Sequence, residues 1–251
     1  MLLAEERREL CAIGRRMAET GLVTGSAGNI SVRSGDLVAV SPGGLMLDRL
    51  TPGDCPVIDL EGHLVESRAP GEGGDSPGGT RPEPRGLGEP PGAAPAPRGG
   101  RARQPSSETP MHLALYAETG ATAIVHTHST YGVVVATTMT ELPPIHYNAL
   151  LLGGVVRVAE YATYGTPELA ANVRTAMAGG KRAALLANHG GVAIGHDLED
   201  AYEGARLLEW LCGVYVRAKM IGEPRVLTDE ELGQVIARAA HPPTFPHLTP
   251  S

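Results

Sequence analysis

The chain carries one short stretch that limits what it can build. Residues 121–129 read A-T-A-I-V-H-T-H-S, so a β-prone apolar run flanked by Gly120 closes on two histidines two positions apart. Ala123, Ile124 and Val125 predict a buried strand. Side chains at i and i+2 of a strand share a face, which brings His126 and His128 to one spot. The carboxyl end of a strand is also where open α/β sheets commonly place ligands. The pair is half of a transition-metal site and needs further ligands. Ordinary surface or capping histidines give the same pattern when it stands alone.

A second buried run, 183–187, ends in Asn188-His189-Gly190-Gly191 and puts His189 in the same strand-end position. Three such imidazoles form a three-nitrogen zinc site with one or two positions open, the arrangement of catalysis rather than of a structural clip. Glu108 has the chemistry of a fourth ligand, a general base, or each in turn. It stands beside a helix whose predicted N-cap is Thr109, with Pro110 at the first helical position. His112, four residues on and on the same helix face, reads as a supporting or packing histidine. Ser106 and Ser107 bring hydroxyls and N–H groups to that helix start, where the dipole favours an anion. The small-residue loop 25–29 (Gly25 to Asn29) and the Ser41-Pro42-Gly43-Gly44 turn add glycine-rich backbone. Each is an ordinary turn by itself; together they make a phosphate cradle.

The remaining pattern alternates helices with short strands. Helices are expected over 2–20, 109–119, 130–138, 166–178 and 197–221, with a last one starting at the Thr228/Glu231 capping box. Strands are expected at 30–33, 37–41, 56–60, 121–129, 155–158, 183–187 and 192–194, and a rigid extended segment at 142–147. The stripe Leu207, Leu208, Leu211 and Val214 is core. This alternation predicts helices on both faces of one sheet, and the early hairpins make that sheet mixed or largely antiparallel. One domain is expected over 1–251. It is interrupted at about 66–105 by a stretch almost half Gly and Pro that cannot bury enough apolar surface to order. An extended tail is expected over 241–251.

Composition narrows the function. A net charge of −7, without a Lys/Arg patch interleaved with aromatics, argues against nucleic acid, so an anionic substrate must be held locally. Cys11, Cys55 and Cys212 form no C-x-x-C pair and read as reduced thiols. No apolar run approaches the roughly 20 residues of a membrane span. The expectation is a cytoplasmic protein without membrane contact. Gly25 to Asn29 enters a strand rather than a helix, so it is no dinucleotide fingerprint.

Taken in order, G-S-A-G-N-I-S, S-P-G-G, P-S-S-E, H-T-H, I-H-Y, Y-A-T-Y-G-T and N-H-G resemble the class II aldolase/adducin family, most of all its L-fuculose-phosphate aldolases. The resemblance spans the chain outside 66–105 and the tail. It implies a three-layer αβα sandwich with a central, mainly antiparallel mixed sheet, a homotetramer with sites at subunit interfaces, and Zn2+. His126, His128 and His189 match the metal ligands, and Glu108 the acid/base that also touches the metal. Gly28, Asn29, Gly43, Gly44, Ser106 and Ser107 match the loops that bind the substrate phosphate, and Tyr147 a proton donor. The implied reaction is reversible cleavage of a ketose 1-phosphate into dihydroxyacetone phosphate and a small aldehyde. Two departures stand out: glycine replaces a frequent hydroxyl residue at Gly43, and the tail has Phe245 but no tyrosine. A methylthioribulose-phosphate dehydratase keeps the glutamate on the same frame, whereas a sugar-phosphate 4-epimerase tends to have aspartate there. An adducin-like interaction module would have no need of the three histidines.

Overall fold

The structure, a computed structural model, describes residues 1–67 and 103–240. Most of the expected 66–105 insertion, and the expected tail, lie outside the described residues. Elements in chain order are α1 (Ala4–Glu19), β1 (Asn29–Ser34), β2 (Leu37–Val40), β3 (Val57–Asp59), β4 (Leu64–Glu66), α2 (Thr109–Glu118), β5 (Ala123–Thr127), α3 (Thr130–Thr138), β6 (Glu141–Leu142), β7 (Val156–Ala159), α4 (Pro167–Met177), β8 (Ala183–Leu186), β9 (Gly190–Gly195), α5 (Leu198–Ile221) and α6 (Asp229–Ala240).

Among the described residues the strands form one nine-stranded sheet, ordered β4-β3-β2-β1-β5-β9-β8-β7-β6. Its pairings are antiparallel except for β7 with β8. Apolar residues that run on continuously in the sequence divide between two faces. Ala123, Val125, Leu185 and Ala193 pack with α1, α3 and α5, whereas Ile124, Leu186, Val192 and Ile194 pack with α2 and α4. A strand covered on both sides buries both sets of its alternating side chains, which is why these runs show no polar alternation. The expected αβα sandwich with a mainly antiparallel mixed sheet is therefore the observed architecture.

Local expectations differ in three places. Glu108, not Thr109, occupies the N-cap position of α2 and makes no side-chain cap bond. Thr109 is the first helical residue, and its hydroxyl donates to the Ser106 carbonyl at 2.7 Å. The segment expected to be extended to Tyr147 turns into a 3-10 helix over Tyr147–Leu152. The strand β4 has no clear signal in the sequence because it is only three residues long, mostly exposed, and pairs only with β3 at the sheet edge. Glu66 is the last residue of β4, and the Ser67 hydroxyl donates to the Arg103 carbonyl at 3.1 Å, so the borders of the expected insertion meet. Cys11, Cys55 and Cys212 are buried free thiols.

Leu185 is fully buried on β8, against α3 and β9. Replacing it by alanine is expected to cost about 2–5 kcal/mol, the range for a large-to-small change in a packed core. Urea unfolding checks this, and an unchanged midpoint would contradict the packing.

Candidate metal and active site

The site forms where β5 ends. His126 is its penultimate residue, and His128 follows the strand with its N–H bonded to the Leu22 carbonyl at 3.0 Å. Helix α3 starts immediately afterwards, and the Glu209 carboxylate of α5 accepts from the N–H groups of Tyr131 and Gly132 at 2.9 and 2.8 Å. An anion on the first turn of a helix is favourable, and here it anchors the chain beyond His128. His189 lies in the turn between β8 and β9, next to Asn188, whose φ of 56° is left-handed. Because β9 pairs with β5 through Thr127↔Gly191, that turn is carried to the histidine end of β5.

Two glycines make this approach possible. A Cβ on Gly190 would lie 2.0 Å from the Thr127 carbonyl oxygen. At Gly28 it would lie 2.6 Å from Val23 and 2.9 Å from the His126 carbonyl oxygen, on a backbone with φ of +83°. Gly28 thus has a packing role beside β5 in addition to the expected phosphate role.

The three imidazole rings stand 4.8–4.9 Å apart between centroids, with planes inclined at 74–76° to one another. His126 Nε2 is 3.0 Å from His128 Nε2 and 3.1 Å from Glu108 Oε2. His189 Nε2 is 3.3 Å from Glu108 Oε1. All four ligand atoms fall within 4.8 Å of one another. Ligands about 2.1 Å from a tetrahedral ion sit roughly 3.4 Å apart, so these spacings need to open by only a few tenths of an ångström. His126 Nδ1–H donates to the Gly191 carbonyl at 2.9 Å, which leaves Nε2 as the nitrogen available to an ion. Glu108 Oε1 is buried without a hydrogen bond. Buried polar atoms are nearly always satisfied, and a cation held here would satisfy this one. The donor set of three imidazoles and a carboxylate fits a divalent transition ion.

The electrostatics agree. Burial opposes ionisation of Glu108, but His126 first, then His189 and the Asn29 amide, outweigh it and hold the carboxyl well below the usual range. Burial pushes His128 down to about 3, with His126 and His189 adding to the shift. It pushes His189 down to about 4. Both are neutral at pH 7 with lone pairs to give. Burial works against charging His126 as well, yet the Glu108 carboxylate and the Gly191 carbonyl outweigh it and raise its pKa.

The loops matched to phosphate binding adjoin this centre. Asn29 Nδ2 donates to Glu108 Oε2 at 2.9 Å. The Ser106 N–H donates to the Ser41 carbonyl at 3.1 Å and the Gly43 N–H to the Gln104 carbonyl at 3.2 Å, which ties the Ser41–Gly44 turn to the Ser106-Ser107 loop. Ser107, Gly43 and Gly44 are exposed. Tyr147 is 52% exposed on its 3-10 turn and stacks on His146 at 4.4 Å. Its ring partner among the described residues is His146, not a residue of the metal cluster.

Sequence reasoning passed over Ser31, which bonds to His112, and Tyr116, which bonds to Ser31, behind the site. The signal was present: Asn29 and Ser31 repeat at the strand period on β1, and Glu108, His112 and Tyr116 at four-residue spacing on α2.

Comparison with known proteins bears on these residues. The profile of the Class II Aldolase and Adducin N-terminal domain matches residues 8–216. The chain is 35% identical over 235 residues to 5-deoxy-D-ribulose 1-phosphate aldolase of Bacillus thuringiensis serovar kurstaki, covering 92% of this chain and 94% of that protein. It is 34% identical over 234 residues to a 5-methylthioribulose-1-phosphate/5-deoxyribulose-1-phosphate aldolase of Rhodospirillum rubrum, covering 92% and 90%. A solved L-fuculose 1-phosphate aldolase superposes with a TM-score of 0.77 at 35% identity, covering 96% of this chain and 98% of that one. Among the described residues no helix is long and apolar enough to cross a membrane.

Acid should destabilise the metal-free protein. His112, His128 and His189 have pKa values lowered to about 3, 3 and 4, and burial is the largest cause for each. In the unfolded chain they take up protons near 6.5. Below that pH the unfolded state binds more protons, and stability falls as pH drops toward about 4. His126, with its raised pKa, opposes this as one group against three. Thermal midpoints of chelator-treated protein between about pH 7 and 5 check this, and a midpoint that does not fall contradicts the neutral buried imidazoles.

Proposed function

Because the chain belongs to the class II aldolase and adducin family, we propose that it is a zinc-dependent aldolase that reversibly cleaves a ketose 1-phosphate into dihydroxyacetone phosphate and a short aldehyde. The observation that carries this reading is the convergence of His126, His128 and His189 on Glu108, with one carboxylate oxygen buried and unbonded. Zn2+ held by these groups supplies Lewis acidity to the substrate's carbonyl end. Glu108 handles the proton: it removes one from the nucleophilic carbon in condensation and returns it to that carbon after cleavage. Its position at the start of α2, beside Ser106 and Ser107, puts a base next to an anion-favouring helix end. The substrate phosphate is assigned to Gly28, Asn29, Gly43, Gly44, Ser106 and Ser107. The Gly43 and Ser106 N–H groups hold the loops together, so the outward-facing Ser107 and Gly44 are the principal donors.

The substrate assigned here is broader than the fuculose-like sugar that the sequence motifs alone suggest. The relatives' names share the ketose 1-phosphate half and differ at the other end, where 5-deoxyribulose and L-fuculose carry a methyl group and methylthioribulose a methylthio group. The aldehyde is accordingly short with an apolar terminus. Tyr147 is the proposed proton donor on the aldehyde side. Its exposure suits a role at the site of a neighbouring subunit in a homotetramer, with the whole enzyme in the cytoplasm.

The test is a cleavage assay over 5-deoxyribulose, methylthioribulose and L-fuculose 1-phosphates, with and without chelator. Release of dihydroxyacetone phosphate that chelator abolishes is the expected result. Loss of water from methylthioribulose phosphate without cleavage identifies a dehydratase instead, and failure to bind a divalent ion identifies a non-catalytic module. Glu108→Gln is expected to retain metal but lose about 10²–10⁴ in turnover, the scale of general acid–base catalysis.

A further inference from the structure

We infer that His112, Ser31 and Tyr116 are positioning residues, forming a buried one-way hydrogen-bond relay that fixes the Asn29 amide with its N–H on Glu108 and keeps that carboxylate aimed at the three histidines. Five side chains follow one another in contact. Tyr116 Oη lies 2.7 Å from Ser31 Oγ, and Ser31 Oγ lies 2.7 Å from His112 Nδ1. His112 Nε2 is 2.6 Å from Asn29 Oδ1, and Asn29 Nδ2 is 2.9 Å from Glu108 Oε2. All five are buried, Ser31 and His112 completely.

The relay is a product of matched repeats. Glu108 at the N-cap of α2 and His112 and Tyr116 within it follow at four-residue spacing, about 6.0 Å per helical step. Asn29 and Ser31 come from β1 at two-residue spacing, about 6.6 Å per step. A helix lying along this strand can therefore interleave its side chains with the strand's, rung by rung. Ile30 and Val32 point to the opposite core, so the polar face of β1 is turned to α2.

Each proton in the chain has one possible direction. An ionised carboxylate only accepts, so Asn29 must present its NH₂ to Glu108 and its carbonyl oxygen to His112. His112 must then donate from Nε2. It is fully buried, and burial holds it neutral, so Nδ1 carries no proton and accepts from the Ser31 hydroxyl. Ser31 in turn accepts from Tyr116, whose own ionisation is suppressed first by burial. Turning the Asn29 amide over would set its oxygen against the carboxylate and leave two donors facing each other at His112. The relay thereby commits one oxygen of Glu108 to Asn29, while the other stays free of hydrogen bonds.

The activity readout rests on the proposed function, whereas the metal readout does not. His112→Leu, of similar bulk, should lower kcat about 10–100-fold with KM changed less than about threefold, and should speed loss of bound zinc to a chelator, as removal of a ligand's supporting partner does. His112→Gln can donate to Asn29 and should recover most of both. Equal losses in the two variants would mean that His112 only fills space, and wild-type kcat and zinc retention in His112→Leu would equally overturn the relay. Should His112→Leu fail to fold, Ser31→Ala and Tyr116→Phe remove one hydroxyl each. Both are expected to show smaller losses of the same kind, and no change in either kcat or zinc retention overturns the inference. If the wild-type protein cleaves no ketose 1-phosphate, the aldolase reading fails, and zinc retention alone judges the relay.

Discussion

The hydrogen-bonded register between β5 and β9 underlies everything at the site. His126 and His128 are neighbours in the chain, but His189 reaches them only because β9 pairs with β5 and β8 at once. The pairing draws the β8–β9 turn against Thr127 so closely that Gly190 leaves no room for a methyl group. Slipping either strand by one residue would turn its side chains to the opposite face and dismantle the three-histidine cluster. Burial of both faces of these strands under helices opposes any such slip.

A carboxylate and three imidazoles inside an otherwise apolar sandwich must be compensated, since burying a charge without partners is costly. The compensation is local. Asn29 reaches one oxygen of Glu108, the histidine nitrogens face both, and the other oxygen is left for a cation. Neutral imidazoles on His128 and His189 follow first from their burial, with the neighbouring His126 adding to both shifts. The same desolvation that prepares them as ligands makes the centre sensitive to acid.

Much of this was legible in the linear pattern. Helix α5 begins at its Asp197 cap, which accepts from the Asp200 N–H, and α6 begins at the Thr228/Glu231 capping box. These signals are short-range, so they survive translation into structure. The H-x-H pair was readable for the same reason, since a two-residue period on a strand has one geometric outcome. The cap of α2 was misassigned because Glu108 is turned toward the histidines, a choice made by residues far away in the chain. The 3-10 turn at Tyr147 and the edge strand β4 lack any repeat long enough to announce them.

Residue order alone dictated the helices with strong caps, the buried strands, the four metal-binding candidates and the small-residue loops, since each depends on spacing within a few residues. Three-dimensional packing set which of those candidates meet, which Glu108 oxygen is free, and how α2 interlocks with β1. The partners in that last arrangement are about eighty positions apart, with Asn29 and Glu108 separated by 79 residues and Asn29 and His112 by 83. No local period encodes such a distance; it is settled only when the sheet closes and the helix is laid along it.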